Sequence, residues 1–253
     1  MTRDLKISVI TVSYNQGRFI EENIISVLNQ KYDNFEHIII DACSKDNTLD
    51  ILKKYEHLKW TSEPDKGQSD GLNKGFRKAT GDIIVWLNSD DVMCDGAFIA
   101  LNKFFTENPD KYVVTGNQVF INTNSEATHT IKAESFRYDR LLNTRYCSVL
   151  QNSTVFRKAV LDKVGLLDET LHYTMDLDLF IRIAKEYTSY TIDKDIAKFR
   201  VWEDSKTTTS QIKFYKNMLV LKKKHKAQLF STGNVWLLWQ FVKYPIKRLI
   251  KNG

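Results

Sequence analysis

Proline and cysteine are both scarce in this 253-residue chain, with three of each. So few prolines leave no Pro-rich spacer, and a flexible interdomain linker is not expected. Cys43, Cys94 and Cys147 lie far apart, with no C-x-x-C spacing and an odd total. Neither a disulfide framework nor a zinc site follows, and a reducing compartment fits. No apolar run approaches the roughly 20 residues needed to span a bilayer. The N-terminus is too polar for a signal peptide, since Arg3, Asp4 and Lys6 precede a short run broken by Ser8 and Thr11. It reads as the first strand of a cytoplasmic protein. Acidic residues disappear after Asp204, while 11 Lys and Arg follow it. The basic character therefore belongs to a tail. Nucleic acid is not expected as substrate, because a basic groove would have to line the site itself.

What is present is the composition of a globular domain with one sizeable core and an appendage: 42% hydrophobic and 27% charged residues. Strand patterns at 6–13, Phe35–Asp41, 58–62 and Ile83–Leu87 alternate with helical patterns at 19–29, 49–55 and 69–78, the second with Asp46-Asn47-Thr48 as its N-cap. Such alternation predicts parallel pairing and an α/β sandwich. Ligands collect outside the carboxyl ends of such strands. Here those ends carry Tyr14 and Asn15, Asp41, and Asp90 and Asp91. The second half is less regular. Helices are expected over 98–105, 158–164 and 176–187, strands over 112–120, 151–157 and 196–201, and an irregular flexible loop over 122–148.

The run Ile83-Ile84-Val85-Trp86-Leu87 stops abruptly at Asn88-Ser89-Asp90-Asp91. Two carboxylates at the mouth of a buried strand are costly without a cation to offset them. Mg²⁺ or Mn²⁺ is an apt partner, and such ions usually share their sphere with substrate phosphates. A phosphorylated, metal-chelating substrate is the expectation.

These motifs, taken together, resemble those of the family-2 inverting glycosyltransferases, nucleotide-diphosphosugar transferases of the GT-A fold. Ile7 through Asn15 looks like the family's opening strand, and Ile39-Ile40-Asp41-Ala42-Cys43-Ser44-Lys45-Asp46-Asn47-Thr48 its second-strand motif. Trp86 through Asp91 is similar to its DxD-type motif. Glu63 through Gly81-Asp82, Val164-Gly165 with Leu167-Asp168-Glu169, and Asp176-Leu177-Asp178-Leu179 with Arg182 follow in family order.

The resemblance implies a GT-A-type, Rossmann-like α/β/α sandwich with a mostly parallel central sheet. A catalytic domain would cover 1–207, with a nucleotide-binding half to about 91 and an acceptor-binding half from about 92. A basic amphipathic helical extension would cover 208–253. Thr11, Val12, Ser13, Tyr14, Asn15, Asp41, Asp70, Asn88 and Asp90 would hold the nucleotide-sugar, with Asp41 on the base and Asp90 on the ribose or the metal. Asp91, with Asp90, would bind Mn²⁺ or Mg²⁺. Asp176, sharing a helix face with Phe180 and Ile183, would be the general base, and Asp178 would pair with Arg182 at i+4.

The implied reaction moves a sugar, UDP-linked by expectation, to a hydroxyl of a glycan or lipid-linked saccharide in cell-surface polysaccharide or glycan assembly. Two alternatives are a sugar nucleotidyltransferase and a non-catalytic nucleotide- or glycan-binding remnant. The chain also departs from the family pattern. Trp202 stands where a histidine is usual, Met175 where an acidic residue often precedes the base, and Leu72 where many members carry arginine, so that Lys66 or Lys74 would have to supply that charge. In the tail, 231–253 combines Trp236, Leu237, Leu238 and Trp239 with Lys243, Lys247, Arg248 and Lys251. Peripheral contact with the inner face of the cell membrane is the expectation, and packing on the domain the alternative.

Overall fold

The computed structural model describes residues 4–144, 149–203 and 211–240. Three buried, β-rich runs build the first half of the sheet. Strand β1 (Ile7–Ser13) lies between β2 (Phe35–Asp41) and β4 (Ile83–Trp86), parallel to both, and β3 (Leu58–Ser62) extends the sheet beyond β2. Parallel strands are covered on both faces, which is why Ile38-Ile39-Ile40 and Ile83-Ile84-Val85 read as unbroken apolar runs. Helices α1 (Ile20–Leu28), α2 (Thr48–Leu52) and α3 (Gln68–Lys78) connect them. Helix α3 sits unusually close to β1. A Cβ on Gly75 would meet Ile10 Cγ2 at 2.4 Å, so glycine sets that approach.

Beyond β4 the sheet becomes mixed. Strand β8 (Thr154–Arg157) pairs antiparallel with both β4 and β6 (Val113–Ile121), and β6 runs parallel to the long β9 (Ser189–Arg200). The two-residue β5 (Val92–Met93) closes the order β3-β2-β1-β4-β8-β6-β9-β5 by pairing with β9. Only the turn 87–91 separates β4, mid-sheet, from β5 at its end. The sheet must therefore curl around that turn. Helix α4 (Ala97–Glu107) covers one face with Phe98, Leu101 and Phe105. On the other, α3, α6 (Ala159–Val164) and α7 (Met175–Glu186) pack around Phe76, Phe156 and Phe180.

Several expectations change. The segment 122–148 is not uniformly irregular: β7 (Ala127–Ile131) forms a hairpin with β6, and α5 (Tyr138–Asn143) follows, while 145–148 lie outside the described residues. Residues 151–153 are a 3₁₀ turn rather than strand. Asp46 does not cap α2 as an N-cap residue. Its carboxylate accepts the Thr48 N–H and hydroxyl and, across the loop, the Gly17 N–H.

The described part of the tail packs on the domain, as the alternative reading had it. Helix α8 (Gln211–Lys224) and a helix over 232–240 bury Met218, Leu221 and Leu237 in the core that also holds α7. Its outer side leaves Leu229, Phe230, Val235, Leu238 and Trp239 exposed. The basic end, Lys243 to Lys251, lies outside the described residues. Among the described residues no helix is long and apolar enough to cross a membrane.

Candidate active site

A cavity of about 1080 Å³ opens at the carboxyl ends of β1, β2 and β4, where the curl of the sheet brings the two halves together. Of the residues expected at the site, Val12, Ser13, Tyr14, Asn88, Asp90 and Asp176 line it. Tyr14 is 59% exposed at its rim. The Ser13 hydroxyl is buried and has no hydrogen-bond partner among the described residues. Asn88 is a hub: Oδ1 accepts from Trp86 Nε1 at 3.1 Å, and Nδ2 donates to Gln151 Oε1 at 3.0 Å and Asp91 Oδ2 at 3.2 Å.

The paired aspartates part company. Asp90 faces the cavity, and its Oδ2 accepts the indole N–H of Trp202 at 2.9 Å. Asp91 turns inward and is 1% exposed. Its Oδ1 accepts the Arg200 N–H at 3.0 Å and its Oδ2 accepts from Asn88. Burial, and then the neighbouring charge of Asp90, push the Asp91 carboxyl well above the usual carboxylate range. Asp91 therefore joins the turn to β9 and does not open on the cavity, against the expectation of a metal ligand there.

Four further expected residues do not line the cavity. Thr11 is fully buried, its hydroxyl donating to the Leu87 carbonyl at 2.9 Å. Asn15, at φ 52°, uses its N–H on Ser44 Oγ and its Oδ1 on the Lys45 N–H. Asp41 is fully buried, with Ser44 and Ser62 filling its carboxylate, so it shapes the loop bearing Ala42 and Cys43, which do line the cavity. Asp70 accepts the Lys66 N–H and pairs with Lys74. Burial opposes its ionisation, but those contacts prevail and hold its pKa below the usual value. Neither Lys66 nor Lys74 lines the cavity, so the charge expected from them is not delivered there.

Asp176 stands in the first turn of α7, one oxygen accepting the Leu177 N–H at 2.8 Å. Asp178 is structural, as the i+4 spacing implied. It is fully buried, and Arg182, Lys224 and His225 surround it within 2.9 Å. Burial raises its pKa, but His225, Lys224 and Arg182 outweigh that and lower it to about 2.

Arg200 lies outside the motifs that pointed to the site. It is 1% exposed and ties four segments together: Nε donates to the Asp90 carbonyl, Nη1 to the Asn122 carbonyl and Ser125 Oγ, and Nη2 to Glu22, above the Phe19 ring at 4.7 Å. A lone arginine in the β-pattern Phe199-Arg200-Val201 was the available signal. Gln118, Phe120, Gln151, Asn152 and Phe199, all from the less regular half, also line the cavity.

Residues 8–165 match the model of glycosyl transferase family 2. The chain belongs to that family. Over 250 residues it is 25% identical to TuaG of Bacillus subtilis, a glycosyltransferase named for teichuronic acid biosynthesis, covering 96% of each chain. Among solved structures, the complex of Staphylococcus aureus TarS with UDP-GlcNAc is similar with a TM-score of 0.69, at 21% identity over 94% of this chain and 72% of that one. A Pyrobaculum calidifontis mannosyltransferase holding GDP-mannose and Mn²⁺ gives 0.65, at 17% identity over 88% of this chain and 65% of that one. These likenesses establish the GT-A-type α/β fold. As a family-2 member the protein is a glycosyltransferase enzyme, which sets aside the nucleotidyltransferase and non-catalytic readings.

Proposed function

We propose that the protein transfers a sugar from a nucleotide-diphosphate donor, UDP-linked, to a hydroxyl of a glycan or lipid-linked saccharide in cell-surface polysaccharide assembly. The observation that carries this reading is that Asp90 and Asp176, from different elements, line the same cavity at the strand ends. The teichuronic acid relative and the TarS complex with UDP-GlcNAc support the setting and the donor.

The residues present fit a shared hard cation. Trp202 occupies one oxygen of Asp90, leaving the other for Mn²⁺ or Mg²⁺. Among the described residues no three acidic, His or Cys side chains gather into a cage, which suits an ion whose remaining ligands come from the donor diphosphate. When bound, the ion neutralises charge on the departing diphosphate. The protein's own part is a single displacement. Ser13, Tyr14 and the Ala42–Cys43 loop seat the nucleotide. Asp176 takes the acceptor hydroxyl proton as the new bond to the anomeric carbon forms and the bond to the diphosphate breaks, with inversion. A catalytic unit over 1–207, with halves meeting near 91, would hold donor and acceptor, and 208–253 would extend it.

Incubation with UDP-, GDP- and dTDP-sugars and Mn²⁺, reading nucleotide release and sugar transfer, tests the assignment. Transfer from a UDP-sugar is expected, and Asp176→Asn should lower kcat by about 10²–10⁴-fold with donor affinity kept. Unchanged kcat in that variant removes Asp176 as the base.

The tail's exposed Val235, Leu238 and Trp239, together with a C-terminal stretch rich in Lys and lacking acidic residues, support a cytoplasmic location with peripheral contact on the inner membrane face. Flotation with anionic vesicles should recover the full chain but not a 1–230 truncation. Equal recovery of both removes that contact.

A further inference from the structure

The family match ends at residue 165, but the cavity does not. Phe214, on α8, forms part of its wall. The same helix also reaches the site through the backbone. Asn217 Oδ1 accepts the main-chain N–H groups of His172 and Tyr173, at 3.2 and 3.3 Å. Both of those residues line the cavity, and Asp176 follows within one helical turn.

The segment 167–174 is gripped from the opposite side by α3. Asn73 exchanges hydrogen bonds with the N–H and carbonyl of Leu167, and Ser69 Oγ donates to the Leu171 carbonyl. The segment hangs between α3 and α8. Past Asp176, the C-terminal end of α8 takes hold again, with Lys224 Nζ 2.7 Å and His225 Nε2 2.8 Å from Asp178. Asn217 and Lys224 are seven residues apart, about two turns, so one face of α8 carries both contacts. Phe214, Met218 and Leu221 share that face, and the last two are buried. Helix α8 thus braces the turn that carries Asp176 both before and after that residue.

We propose that Asn217 is a positioning residue of the active site, holding the 172–173 backbone so that Asp176 is presented to the acceptor, and that α8 is accordingly part of the catalytic unit. The inference rests on the reading of Asp176 as base. It moves the functional boundary of the chain from about 207 to at least the end of α8. Displacing a catalytic group by about 1 Å can cost on the order of 10²-fold in rate, so two lost anchors on a four-residue lead-in are enough to matter.

The experiment compares wild type, Asn217→Leu and Asn217→Asp in the full chain. Leucine removes the acceptor for both amides, whereas aspartate retains it. Asn217→Leu should lower kcat about tenfold or more with donor KM unchanged, since the strand ends that seat the nucleotide are untouched, and Asn217→Asp should recover most of the loss. In parallel, hydrogen exchange at the His172 and Tyr173 amides should speed up in Asn217→Leu and stay slow in Asn217→Asp. Should leucine prevent folding, Asn217→Ser, too short to reach either amide, replaces it with the same readouts. Wild-type kcat in the leucine or serine variant, or unaltered exchange at both amides, overturns the proposal. Exchange that responds as expected in a protein with no transfer from any donor supports the brace and instead defeats the proposed function.

Discussion

Adjacent, chemically identical aspartates have opposite fates in this turn. Asp90 looks into the cavity, while Asp91 is enclosed by the Arg200 N–H and the Asn88 amide. The sequence cannot separate them, because which way each carboxylate points depends on how β9 arrives beside the turn, a contact of residues 109 apart. Their alanine variants should differ in kind. Asp90→Ala should abolish Mn²⁺-supported UDP binding in calorimetry while leaving Tm near wild type. Asp91→Ala leaves the buried Arg200 N–H unpaired, costing about 1–3 kcal/mol, and should lower Tm whether or not Mn²⁺ or UDP is added. A stable Asp91→Ala protein that has lost only metal-supported binding would return the ligand role to Asp91. Trp202 has a definite task at this scale. Its indole N–H cannot ligate a metal, but it fixes Asp90 in one orientation.

Among the elements, α3 owes its position to the absence of a side chain. With Ile10 Cγ2 only 2.4 Å from where a Gly75 Cβ would stand, Gly75→Ala must push the helix off β1. Overpacking of that kind costs about 1–3 kcal/mol, only partly offset by alanine's helix propensity of about 1 kcal/mol. Net destabilisation in urea is expected, and donor KM should rise because Gly67 and Gln68 at the start of α3 line the cavity. A more stable Gly75→Ala would mean that the helix sits farther out. The parallel half of the fold was legible because β1, β2 and β4 are buried on both faces, with continuous apolar runs in β2 and β4. In the other half α4, α6, α7, β6, β8 and the end of β9 were legible, but β5 and β7 were not: β5 has two residues and β7 is wholly exposed, so neither carries a period to detect. Five of the eleven expected site residues, Thr11, Asn15, Asp41, Asp70 and Asp91, bond to neighbouring protein groups and do not line the cavity. A polar residue at a strand end satisfies either a ligand or a neighbouring loop, and for Asp41 the neighbours Ser44 and Ser62 decide it.

Acid should destabilise the whole molecule over two pH windows, because His37, Glu36 and Asp178 are depressed by different routes, while Asp91, pushed up by burial, works in the opposite direction. His37 is fully buried inside β2, and burial, then the charge of His57, lowers its pKa from 6.5 to about 3. The unfolded chain therefore binds a proton on this residue that the fold refuses, so stability falls as pH drops below about 6.5, by up to roughly 1.4 kcal/mol per unit, until about pH 3. Glu36 and Asp178 act lower down. Burial raises both, but Lys59, Ser8 and Thr80 around Glu36, and His225, Lys224 and Arg182 around Asp178, bring each to about 2. Their contribution is complete above about pH 4.5 and is lost toward pH 2. Urea midpoints measured from pH 7.5 to 4 should decline between 6.5 and 5 through His37, before the Glu36 and Asp178 carboxylates titrate. His37→Gln, which can still donate to Thr11 Oγ1, should flatten that upper segment and leave the steeper fall below pH 4.5 in place. A His37→Gln profile parallel to wild type down to pH 5 would mean that His37 is protonated in the fold. The strand it occupies, whose end shapes the nucleotide side of the cavity, would then be less tightly closed than its burial implies.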